Sequence, residues 1–427
     1  MVLKTQKSLT LLFISWIVFG MGTLTIRGAD VASIDRIAQD PRVARAMDSF
    51  AKNADWITEQ QIRLTEIPAP PFGEGPRGKA LRKVFGSLGW ETRIDSVGNV
   101  VAERAGTGGE KQVVLLAAHI DTVFPADTPV SVKKDGQRLE GPGIADNGAG
   151  LAALVAIAKA FTDAGIRTNA TVVLAGDTGE EGEGNLRGIR KLVDDYRSRL
   201  RAVIAVDGAS TEHITVQGLA SHRIEVKITG PGGHSWSDFG APNPITAVAR
   251  GIVRFSAIRV PDPPRTTFNF GVIEGGTAVN AIPESASVKV DVRSEDGDEV
   301  ARLEAALHTA MEQAVQEEMA NSQPSGEGLK VVYRDLGIRP AGQLPQDSFL
   351  LSAIHSVDRY LGNRSRQESS STDANIPLSV GIPAIGVGGG GRGAGSHTLA
   401  EWYDPTDRAL GLKRILLTTL AVAGIQP

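Results

Sequence analysis

The stretch Gln112-Val113-Val114-Leu115-Leu116-Ala117-Ala118 runs directly into His119-Ile120-Asp121. It is short, rich in branched aliphatic residues and free of polar alternation, the pattern of a strand covered on both faces. Ala170-Thr171-Val172-Val173-Leu174-Ala175 repeats that pattern ahead of Glu180-Glu181, and Ala384-Ile385-Gly386-Val387 leads through glycines to His397. Two further loops place Asp146 after Ala145 and Asp207 after Val206. In an open α/β sheet, ligands bind in the crevice beyond the carboxyl ends of the strands, so side chains carried on those ends converge. Two imidazoles and several carboxylates make a nitrogen-and-oxygen donor set suited to zinc.

Outward from these strands the chain reads as a mixed α/β fold with helices on both faces of the sheet. After Asp146-Asn147-Gly148, the residues Leu151, Leu154, Val155, Ala158 and Phe161 recur at helical spacing, and a helix starting there sets its positive end beside Asp146. Upstream, a helical segment over 34–64, the turn Ile67-Pro68-Ala69-Pro70-Pro71 and a helix over 77–88 precede the first strands. From His222 the character changes. Ile224, Val226 and Ile228 alternate with Arg223, Glu225 and Lys227, and Val288, Val290 and Val292 with Lys289, Asp291 and Arg293, as in a sheet with one wet face. Helical patterns over 245–258 and 299–319 and strands over 268–273 and 329–334 complete a β-α-β-β-α-β order, that of a ferredoxin-like unit. Buried-strand patterns resume at Ala384, so this unit is an insertion. The expected division is 1–29, 30–212 (first part of the main domain), 213–336 (the insert, with 321–328 as an internal loop) and 337–427 (second part).

Composition narrows the function. The 427 residues carry 45 basic and 49 acidic side chains, a net charge of −4, with no basic block to hold nucleic acid. Cysteine is absent, which excludes disulfides and thiolate metal sites and leaves His, Asp and Glu as ligands. Lys4 and Lys7 precede an apolar stretch from Leu9 to Ile26, and Gly28-Ala29 offers small residues for cleavage. The stretch is long enough for an uncleaved membrane anchor, but Thr10, Ser15, Gly20, Gly22 and Thr23 dilute it, so a cleaved signal and a secreted or periplasmic protein are expected.

Five strings in order, His119-Ile120-Asp121-Thr122-Val123, Gly141-Pro142-Gly143-Ile144-Ala145-Asp146-Asn147, Gly179-Glu180-Glu181-Gly182, Gly230-Pro231-Gly232-Gly233-His234 and a late His397, carry a family likeness. The chain after residue 50 resembles the zinc exopeptidases and amidases that include glutamate carboxypeptidase, tripeptide aminopeptidase (peptidase T), succinyl-diaminopimelate desuccinylase and aminoacylase. The resemblance implies two zinc ions per subunit, with cobalt or manganese as substitutes. Asp146 would bridge them, Glu181 and His397 completing one site and His119 and Asp207 the other. Three protein ligands per ion leave an open position, as a hydrolytic site needs. Asp121 matches the aspartate that holds the His119 imidazole by its second nitrogen. Consecutive residues of extended backbone point opposite ways, so one of Glu180 and Glu181 can bind metal while the other handles protons. Spacing does not say which; the resemblance makes Glu180 the general base.

The same resemblance assigns His234 to a dimer partner's active site as an oxyanion-type group, and Asn280 and Arg293 to the substrate's carboxylate or carbonyl. It makes the insert a dimerisation and lid domain and the protein a homodimer. It also implies a cis peptide between Asp146 and Asn147. One departure is Gly148, where many relatives carry lysine. Gly388-Gly389-Gly390-Gly391-Arg392-Gly393 lacks the Lys-Ser/Thr ending of a phosphate loop and reads as a turn before His397, together with Ser371-Thr372-Asp373-Ala374. His213, His222, His308 and His355 carry no motif and read as surface or helix residues. The expected function is that of an exported di-zinc exopeptidase of short peptides. A deacylase of N-acyl amino acids and, more remotely, an inactive metal-binding protein remain as alternatives.

Overall fold

A computed structural model describes residues 33–108, 112–323 and 328–426. The export segment expected over 1–29 lies outside these residues, as do residues 324–327 of the expected loop at 321–328. Among the described residues no helix is long and apolar enough to cross a membrane.

Val113–His119 is buried along its whole length and lies parallel to both of its neighbours, Thr171–Asp177 and Leu200–Val206. It can be apolar throughout because both faces are covered. The register sets His119 level with Asp177, and Ala384–Val387 runs parallel to Leu200–Val206 with Val387 level with Val206. The carboxyl ends of these four strands therefore share one edge. The remaining strands make this a nine-stranded mixed sheet. Against it packs Gly148–Ala164, a helix buried on nearly every side, capped by Asn147, whose side-chain oxygen accepts from Gly150 N at 3.0 Å, and stopped by Gly165 in the left-handed region at φ 68°. The long helical segment expected at the N-terminus is broken into Ile34–Ala38, Pro41–Lys52 and Ala54–Thr65. Pro41 starts the second of these, and Asp40 caps it.

A second, four-stranded antiparallel sheet orders its strands Thr266–Gly275, Ser285–Ser294, Ala220–Thr229, Lys330–Arg339. With the helices Pro244–Ser256 and Gly297–Asn321 the chain order is β-α-β-β-α-β. Ile224, Val226, Ile228, Val288 and Val290 pack with Val248, Phe255, Leu307 and Met311 of those helices into a core separate from the main one. The alternating polar residues fall on the opposite face. The expected limits of 213–336 differ from this at both ends. His213–Gly218 pairs with Arg366–Ser370 and Gly342–Gln343 in the large sheet, and the last strand of the small sheet continues to Arg339 past a bulge between Asp335 and Gly337.

Candidate metal centre

The strands ending at His119, Asp177 and Val206, the turn before the helix Gly148–Ala164 and the loop that carries His397 bring the acidic and imidazole groups to one place. His119, Asp146 and Glu181 each turn a ligand atom inward, all within 4.8 Å of one another. His119 Nε2 lies 3.2 Å from Asp146 Oδ1 and 3.7 Å from Asp207 Oδ1; His397 Nε2 lies 3.2 Å from Asp146 Oδ2 and 2.9 Å from Glu181 Oε1. Asp146 is thus the carboxylate shared by both imidazoles. His119 Nδ1 lies 3.0 Å from the Asp121 carbonyl oxygen, and since a carbonyl only accepts, that contact puts the proton on Nδ1 and leaves Nε2 free to ligate.

The donor chemistry fits a pair of divalent cations. Asp146 Oδ1 is buried and makes no aligned hydrogen bond. Burial opposes charge at Asp146, yet the His119 and His397 imidazoles beside it outweigh that and hold the carboxyl well below the usual range. His397 is pushed up to about 10 by its hydrogen bonds to Asp146 and Glu181. At His119 burial works against protonation, but Asp146 and Asp207 raise the group well above an ordinary imidazole. Two imidazoles and the carboxylates of Asp146, Glu181 and Asp207 are a donor set for such cations, whose binding would displace protons from the imidazoles.

Glu180 and Glu181 diverge as adjacent residues of extended backbone should: Glu181 faces His397, and Glu180 faces Arg339, whose Nη1 sits 2.7 Å from Glu180 Oε1. Burial pushes Glu180 up to about 8, against the opposing pull of that guanidinium.

Asp121 plays a different part from the one expected. Its carboxylate accepts from the backbone N–H groups of Gly179 (2.9 Å), Glu180 (3.1 Å) and Glu181 (2.8 Å), and its nearest approach to the His119 ring is 3.9 Å. The backbone carbonyl steadies the imidazole; the side chain shapes the glutamate loop. Glu401 does the same for the bridging loop. Fully buried, it accepts from Gly143 N (2.8 Å), Ala145 N (2.7 Å) and Asp146 N (2.8 Å). Burial pushes it up to about 7 against those three donors. The Asp146–Asn147 peptide is cis. Gly148 has no room for a side chain, because an added Cβ would lie 2.4 Å from Thr65 Oγ1 and 2.8 Å from Gly143 O.

Three expected substrate residues stand apart. Among the described residues no hydrogen bond or ion pair joins His234, Asn280 or Arg293 to the cluster. The pairs Gly233–His234 and Ala281–Ile282 form a short ladder, with Ser235 N donating to Asn280 O at 3.1 Å, so His234 and Asn280 share one exposed loop pair. Arg293 bonds Asp291 at 2.7 Å and lines a cavity of about 220 Å³ with Leu219, Arg265 and Ser369. His222, expected at the surface or on a helix, is instead a buried strand residue held between Glu304 (3.0 Å) and Asp335 (2.9 Å).

Three groups near the cluster, Asp177, Glu401 and Arg339, were not singled out from the sequence, and Asp373 was named only as part of the loop Ser371-Thr372-Asp373-Ala374. Asp177 ends a buried strand just as His119 does and could have been found by the same rule. Burial raises it to about 7, and burial together with the charge of Asp177 raises Asp373 well above a normal carboxyl. Glu401 and Arg339 reach the site across 255 and 159 residues, and nothing local marks them.

Comparison with known proteins agrees with this geometry. Residues 115–420 match the model of peptidase family M20/M25/M40. Acetylornithine deacetylase of Myxococcus xanthus is 28% identical over 365 residues, covering 80% of this chain and 86% of the relative. Carboxypeptidase G2 of Pseudomonas sp. is 28% identical over 276 residues, 61% of this chain and 64% of the relative. A tripeptidase from Staphylococcus aureus shares the fold at a TM-score of 0.70 and 21% identity, over 86% of this chain and 98% of its own. A dinuclear metal-binding M20 peptidase from Bacillus subtilis does so at 0.61 and 18%, over 86% and 98%. With its acidic and imidazole residues gathered at the strand ends and most of its length matched, the chain belongs to peptidase family M20/M25/M40, metal-dependent hydrolases of peptide and amide bonds.

Proposed function

We propose that the protein is an exported co-catalytic di-zinc exopeptidase that cleaves short peptides. The observation that carries the reading is the shared contact of Asp146 with His119 and His397, with Glu181 and Asp207 beside it and Glu180 bonded to Arg339 rather than to either imidazole. Asp146, Glu181 and His397 would hold one ion and Asp146, His119 and Asp207 the other; when bound, the ions polarise the scissile carbonyl and acidify the attacking water. Glu180 takes the proton of that water and passes it to the leaving amine. A carboxylate raised by burial is matched to proton exchange near neutral pH. Export rests on the N-terminal pattern of Lys4, Lys7 and the apolar run that follows.

A second reading, deacylation of N-acyl amino acids, is favoured by the long match to a deacetylase. The deciding experiment is a hydrolysis screen of di- and tripeptides and N-acyl amino acids with zinc, cobalt and manganese. Metal-dependent cleavage of short peptides is expected. Cleavage of acyl amino acids alone would transfer the assignment to the second reading, and bound metal with no hydrolysis at all would mark an inactive binding protein.

The homodimer forms through the small sheet and its helices, and His234 serves the partner's site. Its exposed position, away from its own metal cluster, supports this. Mixing inactive His234→Ala and Glu180→Gln chains should restore activity, because subunit exchange rebuilds one intact site from two defective chains. A monomer with full activity, or proven mixed dimers without recovery, would overturn the shared site.

A further inference from the structure

The polar face of the small sheet meets the glutamate loop. Arg223 Nη1 donates to Gly182 O at 2.8 Å, and Lys289 Nζ lies 3.9 Å from Glu183. Arg339, level with Ser221 and so on the same face as Arg223, closes this contact at the last residue of the strand Lys330–Arg339. It is only 5% exposed. Its Nη1 donates to Glu180 Oε1 at 2.7 Å and to Ser371 Oγ at 3.0 Å, and its Nη2 donates to the backbone carbonyl of Glu180 itself. One rigid guanidinium thus grips both ends of a single residue, a fork that lysine cannot reproduce.

Two details show what this grip is for. Among the described residues Glu180 Oε2 accepts no hydrogen bond, so one carboxylate oxygen is fixed and the other is left unengaged. The arginine is also anchored from behind. Asn375 Nδ2 donates to Leu219 O at 2.8 Å and to Pro340 O at 3.0 Å, so one side-chain amide ties together the two points where the chain enters and leaves the small sheet. The strand end that carries Arg339 is therefore set by the large domain.

We propose that Arg339 is a positioning residue for Glu180: it pins Oε1 and the backbone so that Oε2 alone addresses the attacking water, and it makes the competence of the base depend on the docking of the small sheet. This rests on the reading of Glu180 as general base. A burial-driven charge pair would ask only for a cation near the carboxylate; the bond to the backbone carbonyl of the same residue asks for a fixed orientation.

The test is a set of variants of the full metal-loaded protein. Arg339→Met is expected to keep its metal and lose about 10²-fold in kcat, the usual cost of misplacing a catalytic group by about 1 Å, while KM changes little. Arg339→Lys should recover only part of that loss, and free guanidinium should restore turnover to Arg339→Ala. In a Glu180→Gln background Arg339→Met should cost nothing further, since the two act as a unit. A rise in KM with kcat unchanged would make Arg339 a substrate-binding residue, and an equal loss in both backgrounds would make it a structural one; either overturns the proposal. If the wild-type protein hydrolyses nothing, the functional reading fails on its own, and the clamp is then judged by melting temperature. Non-additive shifts for Arg339→Met and Glu180→Gln support it, and additive shifts sink it.

Discussion

Glu180→Gln is expected to retain its full metal content and to lose about 10²–10⁴-fold in turnover, the usual worth of a general base. The substitution preserves shape, and the amide oxygen can still accept from Arg339. What disappears is the capacity to take a proton at a carboxylate that burial has raised to about 8. Glu180 is not among the residues whose atoms converge on Asp146, so its loss should leave the ions in place. Metal analysis beside kcat at saturating substrate decides the matter. Were Glu180→Gln to lose metal while Glu181→Gln kept it, the roles of the two neighbours would have to be exchanged.

Asp146→Ala should have the second large effect, of a different kind. Because one carboxylate lies 3.2 Å from each imidazole, its removal strips a ligand from both halves of the centre at once. Both ions should be lost and activity should fall to background. Asp207→Ala, which touches only the His119 half, should leave the other half able to hold metal. Thermal unfolding provides an independent measure. An ion that binds only the folded chain stabilises it by about 2.7 kcal/mol at a hundredfold excess over its dissociation constant, so added zinc should raise the wild-type melting temperature and leave Asp146→Ala unmoved. A variant that still responds to zinc with two ions bound would show that the bridge lies elsewhere.

Part of the candidate cluster was legible because two local codes coincide there: an unbroken aliphatic run that only a doubly covered strand tolerates, and a His, Asp or Glu at or soon after its end. Val113–His119 obeys this, Thr171–Asp177 leads on to Glu180 and Glu181, and the alternation of Ser285–Ser294 announced the wet-faced small sheet just as clearly. What stayed hidden is written in long-range contact. Arg339 looks like any polar residue of an alternating strand until the fold brings it to Glu180. Glu401 lies four residues past His397 with no motif of its own, yet it caps three N–H groups of the bridging loop. The family resemblance suggested Asp121 as a partner for the imidazole but could not reveal that its backbone, rather than its carboxylate, fills that role. His213–Gly218 was misplaced because a short half-polar strand at a sheet margin resembles the first strand of an insert.

Asp121 and Glu401 each devote a whole carboxylate to three consecutive or near-consecutive backbone N–H groups, one under the glutamate loop and one under the bridging loop. Six peptide groups that would otherwise need the ions to organise them are organised by the chain itself. Two loops far apart in the sequence are therefore held by the same device. Exchanging one ion for another should therefore leave the backbone that presents the acidic and imidazole side chains where it is, because that backbone is braced from beneath by the chain's own carboxylates.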